Sequence, residues 1–146
     1  MSASYADLFV HLVWGTFGRE PIISKGVEGH LVAAMADKCR ELRCPPLAVG
    51  GMPNHVHLLV ALSPAVAVSK LVKEIKGSSA HLITHRLAPD RPFRWQGGYG
   101  AFTLRTEDPP IVRRYVLNQE MHHARRTVNL EWESPGTIDS RKETAT

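Results

Sequence analysis

Residues 50–62 read GGMPNHVHLLVAL, and two histidines, His55 and His57, stand one residue apart inside this otherwise apolar, strand-like run. Side chains alternate along a strand, so both imidazoles share one face. Val56, Leu58 and Val60 then point to the other face, into a core. Two imidazoles at adjacent same-face positions can reach one metal ion, and a paired strand holds them rigidly. They do not fill a coordination sphere. The remaining positions must come from another element, from water or from a substrate phosphate. The same alternation also fits a half-buried strand whose histidines simply face water.

Working outward, "MPN" reads as a turn and 47–51, "LAVGG", as a short strand. Residues 7–14, "DLFVHLVW", are β-branched and aromatic-rich and predict a strand buried on both faces. Residues 25–43 carry Val27, Leu31, Ala34/Met35, Lys38 and Leu42 at helical spacing, and "CPP" at 44–46 breaks that helix. Ser63-Pro64 predicts the start of the longest helix, with serine as N-cap and proline at the first helical position. Its apolar stripe is Val68, Leu71, Val72, Ile75, Leu82 and Ile83, with Lys70, Lys73 and Lys76 off it. Gly77-Ser78-Ser79 interrupts it and marks a kink or a close approach, and "APDRP" at 88–92 ends it. A last strand is expected at 99–105. Asp108-Pro109-Pro110 then caps a final helix running to about Arg126. The order βαββαβ plus a C-terminal helix predicts an α+β, ferredoxin-like antiparallel sheet. One domain is expected over 1–130, followed by a polar tail over 131–146.

The 146 residues suffice for one ordinary core, and 43% hydrophobic with 22% charged residues is normal for a soluble globular chain. A net charge of +4 with neutral histidines, and a pI near 9.3, suit a polyanionic partner. Cys39 and Cys44 match no disulfide or zinc spacing and read as thiols of a reducing compartment. The N-terminus lacks the pattern of a signal peptide, and no apolar run approaches the ~20 residues of a membrane span. A cytoplasmic protein without membrane association is expected, at the nucleoid while active.

The last predicted helix adds chemistry to the histidine strand. "YVLNQ" places Tyr115 and Gln119 four residues apart, on one helical face. A glutamine carbonyl can bind a hard cation, and a phenol can attack phosphorus when the phosphate is held and polarised. The sequence here resembles the HUH single-tyrosine transposases of the smallest bacterial insertion sequences and their relatives associated with repetitive extragenic palindromes. The resembling stretches are "HLVWGTFGREPII" (11–23), "GGMPNHVHLLV" (50–60), "LVKEIKGSSAHLI" (71–83), "RWQGGYGAF" (94–102) and "YVLNQEMHH" (115–123). The resemblance implies that Tyr115 is the nucleophile, and that His55, His57 and Gln119 bind a divalent cation, Mg²⁺ or Mn²⁺. It implies cleavage and rejoining of single-stranded DNA beside hairpin-forming sequence through a 5′-phosphotyrosine. It also implies a homodimer, in which the tyrosine helix can serve the partner's histidines.

Lys73, Lys76, Arg94, Arg113 and Arg114 are candidate contacts to the DNA backbone, although each also fits a solvated charged face. Phe93 and Trp95 can stack on an unpaired base, with a core role preferred for Trp95. His11 stands on a neighbouring strand, where it can support the pair. His122 and His123 lie one turn beyond Tyr115 on its face, where they can support the metal, touch DNA or stabilise a helix end. Two other function classes stay open on the residues alone. A non-catalytic ferredoxin-like hairpin binder needs the basic surface but not the tyrosine, glutamine and histidines together. A zinc hydrolase on His55 and His57 wants a third strong ligand and a carboxylate base, which the sequence does not offer.

Overall fold

The computed structural model describes residues 4–118. Its framework is a four-stranded sheet of β1 (Phe9–Gly15), β2 (Pro46–Met52), β3 (His55–Ala61) and β4 (Gly100–Leu104). The order is β2-β3-β1-β4 with every neighbouring pair antiparallel. The helices are α1 (Lys25–Glu41), α2 (Val68–Leu82) and α3 (Pro109–Leu117). This is the ferredoxin-like order, with α3 added after β4.

Each strand of the central pair is buried on both faces, as the continuous β-branched runs require. On one face Val10, Leu12 and Trp14 of β1 and Val56, Leu58 and Val60 of β3 form the main core with α1 and α2. The helix side of that core comes from Leu31 and Met35 of α1 and Leu71 and Ile75 of α2. The other face is covered by α3, where Val112 and Val116 pack on Ala48 and Leu59. His11, His55 and His57 lie on this second face and are buried, and His57 meets α3 through Tyr115.

Three local expectations are corrected. The buried stripe of α1 is Val27, Leu31, Met35 and Cys39, a strict i+4 row, so Cys39 takes the place expected for Lys38. The second helix begins at Val68, not at Ser63-Pro64. Ser63 instead closes a turn: its Oγ accepts the Ala65 N–H at 3.3 Å and its carbonyl the Val66 N–H at 3.1 Å. Ala67 is extended (φ −70°, ψ 142°), so helical geometry cannot start before Val68. The α-helical part of α2 is 15 residues. It continues from Ile83 to Leu87 as a π turn that ends on the expected breaker. Finally, Asp108 occupies the N-cap position of α3, but its carboxylate makes no cap bond. It takes the Arg105 backbone N–H and guanidinium, at 3.0 and 2.8 Å, and these bonds lower its pKa.

Within the described residues α3 ends at Leu117; its expected run to Arg126 and the tail over 131–146 lie outside them. Among the described residues no helix is long and apolar enough to cross a membrane.

Candidate active site

The site is built on the strand pair β1/β3, at the end where β1 stops and β3 starts. Register sets Gly15 opposite His55 and Val13 opposite His57. His57 is fully buried and His55 is 3% exposed. Their rings stand 5.2 Å apart between centroids, at 68° to one another. Each ring has a defined partner at Nδ1. Asn54, in the turn before β3, places Oδ1 2.8 Å from His55 Nδ1. An amide oxygen only accepts, so His55 Nδ1 is the donor, and in the neutral ring the lone pair is then on Nε2. His57 Nδ1 lies 2.9 Å from His11 Nε2, and those rings stack at 5.1 Å. The tautomer with His57 Nδ1–H donating puts the His57 lone pair on Nε2 as well.

The tyrosine arrives from α3. Val112, Tyr115 and Val116, at i, i+3 and i+4, are the buried face of that helix. The helix crosses β2 at Gly50, which pairs with His57 in register. A Cβ there would collide with the Val116 carbonyl oxygen, so the first glycine of "GGMPNHVH" is what lets the helix backbone lie on the sheet. The Tyr115 ring, 8% exposed, then stands edge-on to His57 of its own chain at 6.1 Å between centroids. Gln119, His122 and His123 lie outside the described residues.

Two further side chains enter this corner that the sequence reading left without a role. Gly15 points to the histidine face, and the space beside it is filled by Arg19 and Gln96. Arg19 Nη1 and Gln96 Oε1 sit 2.9 and 3.0 Å from where a Gly15 Cβ would be. Arg19 reaches back because Gly18 and Arg19 both take left-handed backbone, φ 63° and 58°. Nothing in "TFGREP" announces that reversal.

The expected DNA contacts are placed unevenly. Lys76 is half-buried and donates to the Gln96 and Gly98 carbonyls, which braces the 94–98 segment; burial lowers its pKa. Lys73 is exposed on α2, the helix behind the sheet face opposite the histidines. Arg113 and Arg114 are exposed on α3, where Arg113 Nε donates to the Leu47 carbonyl at 3.1 Å and Arg114 Nε to that of Pro110 at 3.4 Å. Arg94 lies 4.6 Å over the exposed Phe17 ring, and both line a cavity of about 560 Å³ with Arg91 and Phe93. That cavity hangs on the histidine end of the sheet: Thr16 N–H donates to the Asn54 carbonyl and Phe17 N–H to that of Arg94. Trp95 is core: its Nε1 donates to Ser79 Oγ at 3.0 Å and its ring stands T-shaped on Trp14 and Phe93. The close approach marked by Gly77-Ser78-Ser79 is therefore at Ser79.

A model of the family described as "Transposase IS200 like" matches residues 4–119, most of the chain. The chain belongs to the IS200-like transposase family. It is thereby a member of the HUH single-tyrosine transposases that its motifs resemble, and DNA transposition is its class of activity. It is 31% identical over 118 residues to the ISDra2 transposase TnpA of Deinococcus radiodurans, across 77% of this chain and 84% of that one. Its fold is shared with the crystal structure of another chain from Deinococcus radiodurans R1 described as a transposase, at TM-score 0.65 and 24% identity, covering 82% of this chain and 95% of that one. It is shared too with a REP-associated tyrosine transposase bound to a REP hairpin, at TM-score 0.61 and 17% identity, covering 84% of this chain and 73% of that one.

Proposed function

We propose that this transposase cleaves and rejoins single-stranded DNA beside a hairpin, with Tyr115 as the nucleophile. The observation that carries the reading is the Tyr115 ring held edge-on against His57 of its own chain on the covered face of the sheet. In the proposed step the Tyr115 oxygen bonds to phosphorus, the P–O3′ bond breaks, and the phenol proton is lost as the leaving 3′-oxygen gains one. The products are a 5′-phosphotyrosine and a 3′-hydroxyl. Attack by another 3′-hydroxyl reverses the step, so no nucleotide hydrolysis is required.

The donor set fits a divalent cation. Both histidines have a neighbour at Nδ1, which fixes the rings; with Nδ1–H donating in each, the lone pairs lie on Nε2, the arrangement metal-binding histidines commonly show. Among the described residues no group of three His, Cys, Asp or Glu side chains is placed to hold a metal. Gln119 is the proposed third protein ligand. The ion, Mg²⁺ or Mn²⁺, supplies polarisation of the phosphate when bound. The chain's own part is to hold the two imidazoles, to keep water off the buried Tyr115 ring, and to offer basic residues to the strand. Arg94, beside the exposed Phe17, is the proposed backbone contact nearest the histidine end, with Arg113 and Arg114 on α3 and Lys73 on α2 farther off. The proposed assembly is a homodimer, since β2 and β4 are both edges of the described sheet and edges invite pairing.

Wild-type protein with Mg²⁺ and hairpin-bearing single-stranded DNA should form an adduct that survives denaturing electrophoresis, and Tyr115→Phe should bind the DNA without forming it. Hairpin binding by the wild type without any adduct refutes the reading and favours a non-catalytic hairpin binder.

A further inference from the structure

We propose that Arg19 is a catalytic residue that contacts the scissile phosphate. The inference rests on the cleavage reading above and adds a residue to it. Three observations lead to it. First, place: Gly15 is the register partner of His55, partners in an antiparallel pair project to one face, and Arg19 Nη1 lies 2.9 Å from the Gly15 Cβ position. The guanidinium therefore lies beside the histidine pair and not on the outer surface. Its Nη1 is buried although the residue as a whole is only half-buried.

Second, the backbone is shaped to put it there. A non-glycine residue at φ 58° is uncommon, and it follows Gly18 at φ 63°. The turn is pinned from both sides: Thr16 Oγ1 donates to the Glu20 carbonyl at 2.7 Å, and Arg19 N–H to the Thr16 carbonyl at 3.0 Å. Left-handed backbone of this kind persists where surrounding structure over-determines it, and it clusters at functional sites. Here it folds a long cation back over the strand that carries it.

Third, chemistry. The site lacks a side chain at residue 15, and the room is taken by a planar donor rather than by an apolar group. A guanidinium presents paired N–H donors that match two phosphate oxygens, and it stays charged at any working pH. During attack by Tyr115 negative charge grows on the non-bridging oxygens. A fixed donor aimed there stabilises the transition state.

The test has two arms on the full chain. In the kinetic arm, adduct formation is followed at saturating hairpin DNA with Mg²⁺. Arg19→Gln should slow it about 100-fold, the usual effect of losing one such donor, and Arg19→Lys should recover part of the loss. Gly15→Ala keeps the arginine but puts a methyl 2.9 Å from its Nη1, so that the guanidinium must shift, and should slow the step as well. In the binding arm, Tyr115→Phe and Tyr115→Phe/Arg19→Gln are each titrated with DNA carrying either the natural scissile phosphate or a neutral methylphosphonate. Neutralising that one phosphate should weaken binding about tenfold more when Arg19 is present, the worth of one charge-assisted hydrogen bond. A merely structural arginine gives no such coupling. Equal weakening in the two backgrounds, or an unchanged adduct rate in Arg19→Gln, overturns the proposal while leaving the nucleophile assignment standing. A wild type that binds the hairpin and forms no adduct overturns the cleavage reading itself.

Discussion

At the scale of single residues, the arrangement around each imidazole decides what the site can do. His57 is fully buried, and its Nδ1 faces His11 Nε2 on the adjacent strand. A ligating ring held in this way is pre-oriented, and loss of the supporting group typically lowers metal affinity by about 10–100-fold. His11→Leu should therefore weaken Mn²⁺ binding by that amount, read from the paramagnetic signal of free Mn²⁺ during titration. His11→Gln keeps an acceptor within reach and should retain most of the affinity. Equal Mn²⁺ binding by His11→Leu and wild type would remove the supporting role. His55→Ala and His57→Ala should each reduce Mg²⁺-dependent cleavage more severely than either His11 variant. Hairpin affinity should change little, since it comes largely from phosphate contacts by lysine and arginine. Normal cleavage by either alanine variant would show that the pair does not hold the ion. The thiols behave differently. Burial and the neighbouring Cys44 push the Cys39 thiol up to about 12, so native protein at pH 8 should alkylate at Cys39 only as fast as the domain opens.

At the scale of elements, the tyrosine is positioned by the way α3 meets β2. Gly50 leaves no room for a side chain under the Val116 carbonyl, and Val116 is the residue after Tyr115. Gly50→Ala should lift that turn of the helix. Overpacking of this kind costs about 1–3 kcal/mol of stability. A displacement near 1 Å at a reacting group can cost about 100-fold in rate. Adduct formation falling much more than hairpin affinity, with circular dichroism preserved, is the expected pattern; an unchanged rate would mean that α3 is not positioned at Gly50. The start of α3 has its own pH signature. Arg105 holds the Asp108 carboxyl below its ordinary range. A depressed carboxyl stabilises the folded state above its unfolded pKa, and this contribution is lost as pH falls through the folded one. The difference in thermal midpoint between wild type and Asp108→Asn should therefore be largest near neutral pH and should shrink in acid.

The same scale shows why parts of this architecture were readable and others were not. The strands and their order followed from period-two alternation and β-branched runs, which act over a few residues. Tyr115 and the histidine strand could be connected through helical and strand periodicity together with the family resemblance. The start of α2 was not readable, because Ser63-Pro64 satisfies the rules for a turn as well as those for an N-cap. The place of Arg19 was not readable either. It depends on left-handed backbone at two successive residues and on a missing side chain at Gly15, which meet only once β1 is paired with β3.

At the scale of the whole molecule, the question is which chain supplies which half of the site. The family resemblance allows a tyrosine helix that serves a partner's histidines. In this chain α3 packs on its own sheet through Val112 and Val116, and Tyr115 faces its own His57. A homodimer joined through either sheet edge need not exchange anything for the described half of the site to be complete. This gives a prediction independent of whether light scattering finds one chain or two. Tyr115→Phe lacks the proposed nucleophile and His57→Ala lacks a proposed ligand. If the site is assembled within one chain, mixing the two variants, or refolding them together to force mixed dimers, should give no more adduct than His57→Ala alone. If the helix serves the partner, every mixed dimer contains one site with both Tyr115 and His57, and adduct formation should recover. Recovery would place the working tyrosine on the partner subunit and make the packing of α3 seen here one of two positions that the helix can take.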